Sequence, residues 1–148
     1  MIVSSLRELF RRDLNRLQKE LESYREEKNL WLVEKEISNS AGNLFLHLFG
    51  NLQYYFGAVL NNSGYARNRE KEFADKNVSR KEMLKLLEIA RQTVDQTLEK
   101  LTDADLEKIY PVNVFGEEMT TSHFVIHLYG HFNYHLGQIN YHRRLIED

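Results

Sequence analysis

The sequence HFVIHLYGHFNYHLGQINYHRRLI, residues 123–146, carries an apolar side chain at every third or fourth position. An α-helix turns by about 100° per residue, so this spacing places those side chains along one face. The members of the face are Phe124, Leu128, Phe132, Leu136, Ile139 and Ile146. The pattern predicts an amphipathic helix that ends near Ile146, with Thr120, Thr121 or Ser122 as its N-cap.

Three earlier segments show the same helical period. They run from about Ser5 to Lys28, from Ser38 or Ser40 to about Leu60, and from Ser79 to about Lys100. Ser79 is followed three residues later by Glu82, which is the pattern of a capping box. These segments and the last one predict four helices.

Four helices in 148 residues, without an internal repeat, predict an all-α fold and a four-helix bundle. The length suits a single domain, residues 1–148. The longest connection lies between Asn61 and Val78, so the helix order need not be simply up-down-up-down. Residues 109–120, IYPVNVFGEEMT, predict a short hairpin-like excursion before the last helix.

The charge balance argues against two classes of partner. Lys and Arg number 20 and Asp and Glu number 22, so no basic field exists to attract nucleic acid or an anionic membrane. No charged residue occurs between Ser40 and Ala66, but polar residues and glycines make this segment a poor membrane span. The N-terminal residues lack the pattern of a secretory signal, so we expect a cytoplasmic protein.

The histidines of the last helix are the candidate metal ligands, because the sequence contains no cysteine. Successive steps of four residues drift by about 40° around a helix. The drift directs His131 and His135 toward the apolar face, leaves His127 at the rim and leaves His123 in solvent. Two histidines at this spacing can chelate a divalent metal but need a third ligand.

His47 lies outside the last helix, in the middle of the charge-free segment. It shares a stripe with Asn43, Asn51 and Tyr54, and that stripe points away from the apolar side of its helix. A surface stripe would normally carry Lys or Glu, so we expect an enclosed polar cavity or a subunit interface. The residues alone leave three interpretations open: a three-histidine metal site, hydrogen-bonded structural histidines and a pH switch.

Three motifs together resemble the DinB/YfiT-like superfamily of bacterial four-helix bundle proteins. They are NSAGNLFLHLFGN on the second helix, RNREKEF at residues 67–73 and HFNYHLGQINYHRRL on the last helix. Many members have Arg where this chain has Leu136. The resemblance covers about residue 31 to the end of the sequence.

The resemblance implies that His47, His131 and His135 bind a divalent metal ion, Zn or Ni. It also implies an up-down-down-up helix order and a homodimer. Members with a known activity are similar to thiol-dependent transferases or isomerases, so a small-molecule thiol substrate is implied. Tyr134 and Gln138 flank the site as candidates to orient a ligand imidazole.

Three functional hypotheses follow, and the catalytic residues remain unassigned in each. The leading one is a metal-dependent transferase in which the ion lowers the pKa of a small thiol. The alternative is a metal-dependent hydrolase, with Glu72, Glu117 or Glu118 as general base. The third is a non-enzymatic, stress-linked binding protein with a structural metal.

Overall fold

The computed structural model describes residues 2–147, and most of them lie in α-helices. The helices are α1 (Ile2–Ser23), α2 (Ala41–Leu52), α3 (Arg69–Ala74), α4 (Arg80–Lys100), α5 (Asp103–Leu106) and α6 (Thr121–Ile146). A 3-10 turn covers Glu27–Trp31, and a π-helical segment, Gln53–Val59, continues α2. The described residues contain no β-strand. The all-α prediction is confirmed.

Four of these helices surround the apolar interior. Helix α1 packs against α4 and α6, and α2 packs against the same two helices. Phe10 of α1 lies at the centre, with its ring edge-on to those of Phe56 and Phe132. The four-helix bundle and its connectivity stay predictions. Among the described helices, none combines the length and the apolarity needed to cross a membrane.

Side-chain caps fix three of the helix starts that the sequence predicted, and at the start of α2 the Ser40 hydroxyl accepts from the Asn43 amide. The Ser79 hydroxyl accepts a hydrogen bond from the Glu82 amide at the start of α4. Thr120 does the same for His123 at the start of α6. The preceding loop forms one antiparallel bridge, between Ile109 and Thr120, so it does have a hairpin-like closure.

The first helix ends earlier than the sequence pattern suggested. It stops at Ser23, about five residues before the predicted end near Lys28. Just beyond it, the amide groups of Arg25 and Glu26 donate to the carboxylate of Glu147, more than 100 residues away in the chain. This long-range contact replaces helical hydrogen bonds, and no local pattern could have revealed it.

Asp13 is a buried carboxylate on α1 that joins α1 to α6. It is fully buried and accepts hydrogen bonds from Arg12, Arg16 and the Tyr129 hydroxyl. Burial alone would raise the pKa of Asp13, but the hydrogen bonds from Arg12 and Tyr129 lower it. The charged carboxylate therefore stabilises the folded chain.

We expect Asp13→Asn to lower the free energy of unfolding at pH 7 by about 1 to 3 kcal/mol, because one acceptor oxygen is lost among three donors. The depressed pKa means that the contribution is present above about pH 3.9, the usual value for Asp, and is lost as the pH falls through the folded-state pKa. Urea unfolding of the parent and the variant at pH 7 and pH 3 measures the loss in unfolding free energy and its dependence on pH. Glu8→Gln, at an exposed position of α1, is the control. An equal loss at both pH values would contradict the prediction.

Candidate metal centre

The polar stripe of α2 is enclosed by the protein. Asn43, His47 and Asn51 are all buried, although none of them faces the apolar interior. The cover is α3, which packs against α2 together with the residues that follow it. The expectation of an enclosed polar environment for His47 is therefore correct.

Asn43 attaches this cover to α2. Its amide nitrogen donates to the backbone carbonyls of Glu72 and Asp75, each at 2.9 Å. Its amide oxygen accepts from Ser40, the N-cap of α2, and from Lys76. The contacts fix the backbone at Glu72 against the helix that carries His47.

The Glu72 side chain points to the ring of His47. One carboxylate oxygen lies 3.0 Å from His47 Nδ1, and Arg67 donates to both oxygens at 2.9 and 3.0 Å. A carboxylate only accepts hydrogen bonds, so His47 carries its proton on Nδ1 and directs the Nε2 lone pair away from Glu72. Phe73 packs on the imidazole, with the ring centroids 4.9 Å apart.

Arg67 and Glu72 form a buried ion pair. Burial alone would raise the pKa of Glu72, but hydrogen bonds from His47 and Arg67 lower it. Burial alone would lower the pKa of Arg67, and the Glu72 carboxylate raises it instead. Both groups are therefore charged at neutral pH. The pair holds a fixed negative charge against the His47 N–H.

Gly50 creates the space for this carboxylate. A Cβ atom at Gly50 would lie 1.9 Å from Glu72 Oε2 and 2.6 Å from its Cδ. Gly50 follows His47 by three residues, so the gap lies on the same side of α2. The sequence pattern gave no indication that this glycine accommodates a distant glutamate.

The structure brings His47, His131 and His135 together. Each offers one ring nitrogen within a group whose members lie within 4.8 Å of one another. His47 Nε2 and His131 Nε2, 84 residues apart in the chain, are separated by 3.1 Å. The His135 ring lies nearly perpendicular to the other two, with centroid distances of 5.1 and 4.6 Å.

Two of the rings have an assigned tautomer. His135 Nδ1 donates to the Gln138 amide oxygen at 2.7 Å, which leaves the Nε2 lone pair free. Glu72 fixes the same tautomer in His47. Gln138 therefore orients a candidate ligand, as the sequence suggested, while Tyr134 is largely exposed and touches only the edge of the His135 ring.

The α6 imidazoles of the group are uncharged at neutral pH. Burial lowers the pKa of His131 to about 3, and His135 and His47 add to the effect. Burial also lowers the pKa of His135, although the hydrogen bond to Gln138 opposes the shift. Neutral imidazole is the protonation state that binds metal ions.

The 3.1 Å separation fits two arrangements. In one, a proton on His131 Nε2 is donated to His47 Nε2, and the rings are structural. In the other, both lone pairs face a cation, for which Zn–N bonds of about 2.0 to 2.1 Å imply nitrogen separations of about 3.3 Å in a tetrahedral site. The spacing and the donor set are therefore compatible with a metal.

Two buried polar atoms lie on or beside this cluster without a hydrogen-bond partner among residues 2–147. They are His131 Nδ1 and the amide oxygen of Asn51. Asn51 follows His47 by one helical turn on the same stripe. Buried polar atoms of this kind are rare in folded proteins and are typical of places where a water or ligand binds.

The other histidines stay outside the group. His123 and His127 are exposed, and His127 packs edge-on against Phe115, with centroids 4.8 Å apart. His142 is buried, but it bonds to the Tyr24 hydroxyl and the Leu32 carbonyl. The helical drift thus correctly separated His131 and His135, which join the group, from His123 and His127, which do not.

The three candidate general bases lie in different surroundings. Glu72 is next to His47, but both of its oxygens are engaged by His47 and Arg67. Glu117 and Glu118 are exposed in the loop before α6. The sequence drew attention to Glu72 and Arg67 through the RNREKEF motif, without revealing that they hold an imidazole in place.

Comparison with known proteins gives one family. The model of a family described as "Protein of unknown function (DUF1572)" matches residues 1–148. A search of curated proteins finds no match. The match therefore spans every residue of the site.

Proposed function

This chain belongs to the DUF1572 family, and we propose that it binds one divalent metal ion, Zn²⁺ or Ni²⁺, through His47, His131 and His135 for a thiol-dependent transfer reaction. The observation that carries the proposal is the convergence of three imidazoles from α2 and α6, two of them with Nε2 left free. We also place the chain in the DinB/YfiT-like superfamily. The packing of α1, α2, α4 and α6 supports a four-helix bundle, and the family resemblance implies the up-down-down-up order.

The ion would supply a charge of +2 that lowers the pKa of a thiol or water beside it. Three protein ligands leave a position for such a molecule, as in catalytic rather than structural zinc sites. Glu72 holds the proton and the orientation of His47, and Gln138 does the same for His135. Phe73 shields the His47 ring from water.

The three candidate bases of the hydrolase alternative are poorly suited, since Glu117 and Glu118 are exposed and both oxygens of Glu72 are engaged. Glu72 is paired with Arg67, so proton uptake by its carboxylate would leave a buried guanidinium without its counter-charge. Thiol transfer has less need of a protein base, because a free thiol has a pKa of about 8.5 and water one of about 15.7, so the same ion converts a thiol to the nucleophilic thiolate more readily than water to hydroxide. The arrangement therefore favours the transferase.

Metal binding and a thiol screen test the proposal. Metal-stripped protein is titrated with Zn²⁺ and Ni²⁺, and the His131→Ala/His135→Ala double variant is the control. We expect one ion per chain in the parent and none in the double variant. The loaded protein is then incubated with small thiols and electrophilic acceptors, and loss of free thiol is followed.

Each competing function has its own outcome. Turnover of esters or amides without thiol consumption would favour the hydrolase. A metal that only raises the melting temperature, with no thiol bound or consumed, would favour a structural role. Light scattering of the same samples tests the proposed homodimer, which rests on the family resemblance alone.

Gly50→Ala separates the geometry of the site from overall stability. We expect it to lower metal affinity about 10-fold or more, because the new Cβ displaces the Glu72 carboxylate from His47. The melting temperature should fall less than in Glu72→Gln, since alanine favours a helix by up to about 1 kcal/mol over glycine and offsets part of the cost of disturbing the buried Glu72–Arg67 pair. Isothermal titration and thermal unfolding measure the two effects.

Gly137→Ala is the matched control, because it makes the same replacement in α6 where no atom lies within 4 Å of the new Cβ. It should keep the parent affinity. Equal affinity in the Gly50 and Gly137 variants would show that the position of Glu72 does not matter for the metal.

A further inference from the structure

A groove of about 530 Å³ adjoins the histidine cluster. Its walls are the chain just before α2, at residues 36–39, the first turn of α2 at Leu44, and the second half of α6. The volume lies within the range of about 300 to 1,000 Å³ that is typical of small-molecule sites. The groove is therefore large enough for a ligand beyond the atoms that would contact the metal.

One end of the groove reaches the candidate metal centre. His135 and Gln138 both line it, and these two residues are joined by the hydrogen bond that fixes the His135 tautomer. A molecule lying in the groove would thus place one end beside His135. His135 is the member of the histidine cluster that the groove shares, and His47 and His131 lie behind it.

The rest of the wall is mostly apolar. Ile37 and Leu44 line one side, and Tyr134, Tyr141 and Leu145 line the other. The last three are about two-thirds exposed, at 65 to 66%, and are the most exposed large apolar side chains among the described residues. Such side chains bury apolar area when a ligand covers them, at about 25 cal/mol per Å².

The charge of the groove restricts the ligand further. Among the described residues that line it, none is Lys or Arg, and Glu36 is the only carboxylate. An anionic ligand would be repelled by Glu36 and would find no counter-charge in the wall itself. The Arg144 guanidinium lies over the Tyr141 ring, 5.7 Å from its centroid, but is not part of the wall. An uncharged or cationic ligand meets neither penalty.

We propose that this groove binds the aliphatic or aromatic body of an uncharged or cationic small molecule and places its reacting end at His135. This inference rests on the proposed function in one respect: the thiol-dependent transfer defines which chemical group the reacting end carries. It narrows the substrate class, because thiols or acceptors whose bodies carry carboxylates do not fit the groove. The ligand body lies between Ile37 and Leu44 on one side and Tyr141 and Leu145 on the other.

Three probes with one arylalkyl body test the charge preference: phenylbutylamine, phenylbutanol and phenylbutyrate. Binding is measured by ligand-observed NMR on metal-stripped protein, so that no probe can bind through the ion. We expect the amine and the alcohol to bind at least 10-fold more tightly than the carboxylate. Equal binding of all three, or the tightest binding by phenylbutyrate, would overturn the proposal.

Variants locate the binding. Tyr141→Ser and Leu145→Ser should each weaken phenylbutanol binding at least 5-fold, while Ile126→Ser, an exposed apolar position of α6 outside the groove, should not. Glu36→Lys should shift the preference toward phenylbutyrate. A loss that is equal in the Ile126 variant, or no change with Glu36→Lys, would overturn the assignment.

The metal content of the same variants keeps this inference separate from the proposed function. Tyr141→Ser and Leu145→Ser should retain the metal stoichiometry of the parent. Probe binding with no metal in the parent would refute the metal site and leave the groove standing. Metal binding without probe binding would refute the ligand groove and leave the metal site standing. If no probe binds and the Tyr141 and Leu145 variants have a lower oligomeric state than the parent, the ligand groove is likewise refuted.

Discussion

We expect His131→Ala to lower the metal affinity of the protein by more than about 100-fold, while His127→Ala leaves it within about 2-fold of the parent. Changing a residue that merely orients a ligand costs 10- to 100-fold, so loss of a ligand should cost more. His131 Nε2 lies 3.1 Å from His47 Nε2 and its ring is largely desolvated. His127 is exposed and packs against Phe115.

The two variants form a matched pair, since each removes one imidazole from the same helix one turn apart. Competition titrations with a chelating dye, with Zn²⁺ and Ni²⁺ in turn, measure the affinities, and circular dichroism checks that both variants are folded. Retention of metal by His131→Ala together with its loss from His127→Ala would show that the chelating set includes His127 and not His131. Stoichiometric metal in both would exclude a site on this part of α6.

The second large effect concerns Glu72. We expect Glu72→Gln to lower metal affinity 10- to 100-fold, about 1.4 to 2.7 kcal/mol, because the amide has one acceptor oxygen for both His47 and Arg67. It also removes the negative charge that faces the His47 N–H. The free energy of unfolding should fall as well, since Arg67 then lacks its buried counter-charge.

Arg67→Met separates the two consequences. It removes the guanidinium and leaves Glu72 free to accept from His47. The loss in the free energy of unfolding should therefore be larger than the loss in the free energy of metal binding. The double variant, Glu72→Gln with Arg67→Met, completes a cycle whose coupling energy measures the Glu72–Arg67 interaction. The affinity lost on adding Glu72→Gln to Arg67→Met then reports the contact of Glu72 with His47 without the contribution of Arg67. Glu70→Gln, at an exposed position of α3, is the control. Equal affinity losses in the Glu72 and Arg67 variants would contradict a specific role for the His47 contact.

The sequence predicted the parts of the site that depend on one helix. The spacing of His123, His127, His131 and His135 is fixed by the helical period, so their relative exposure followed from it. The absence of charge around His47 indicated that its stripe is enclosed. Both are local properties, which a periodic pattern records well.

The parts that join separate segments were not predictable in this way. Glu72 reaches His47 because Asn43 binds the backbone carbonyls near α3 and because Gly50 leaves room for the carboxylate. None of these contacts has a sequence period. The metal-ligand role of His47 came from the family resemblance, since the helical wheel did not orient it toward α6.

The polar stripe of α2 ends one turn earlier than the sequence predicted for a regular α-helix. Tyr54 was expected on the same stripe as His47 and Asn51, but the π-helical segment begins at Gln53. A wider turn changes the angle between successive side chains. Tyr55 and Phe56 then contact Tyr110 and Thr97 through their backbone carbonyls, which accept from the two hydroxyls at 2.8 and 3.2 Å.

This wider turn bears on how sequences of this kind should be aligned. An α-helix closes each turn with a hydrogen bond over four residues and a π-helix with one over five, so the segment Gln53–Val59 holds a residue that a straight α-helix would not need. A relative lacking that residue could rewind the segment as α-helix without moving His47. A one-residue gap between Asn51 and Leu60 is therefore compatible with an unchanged histidine position.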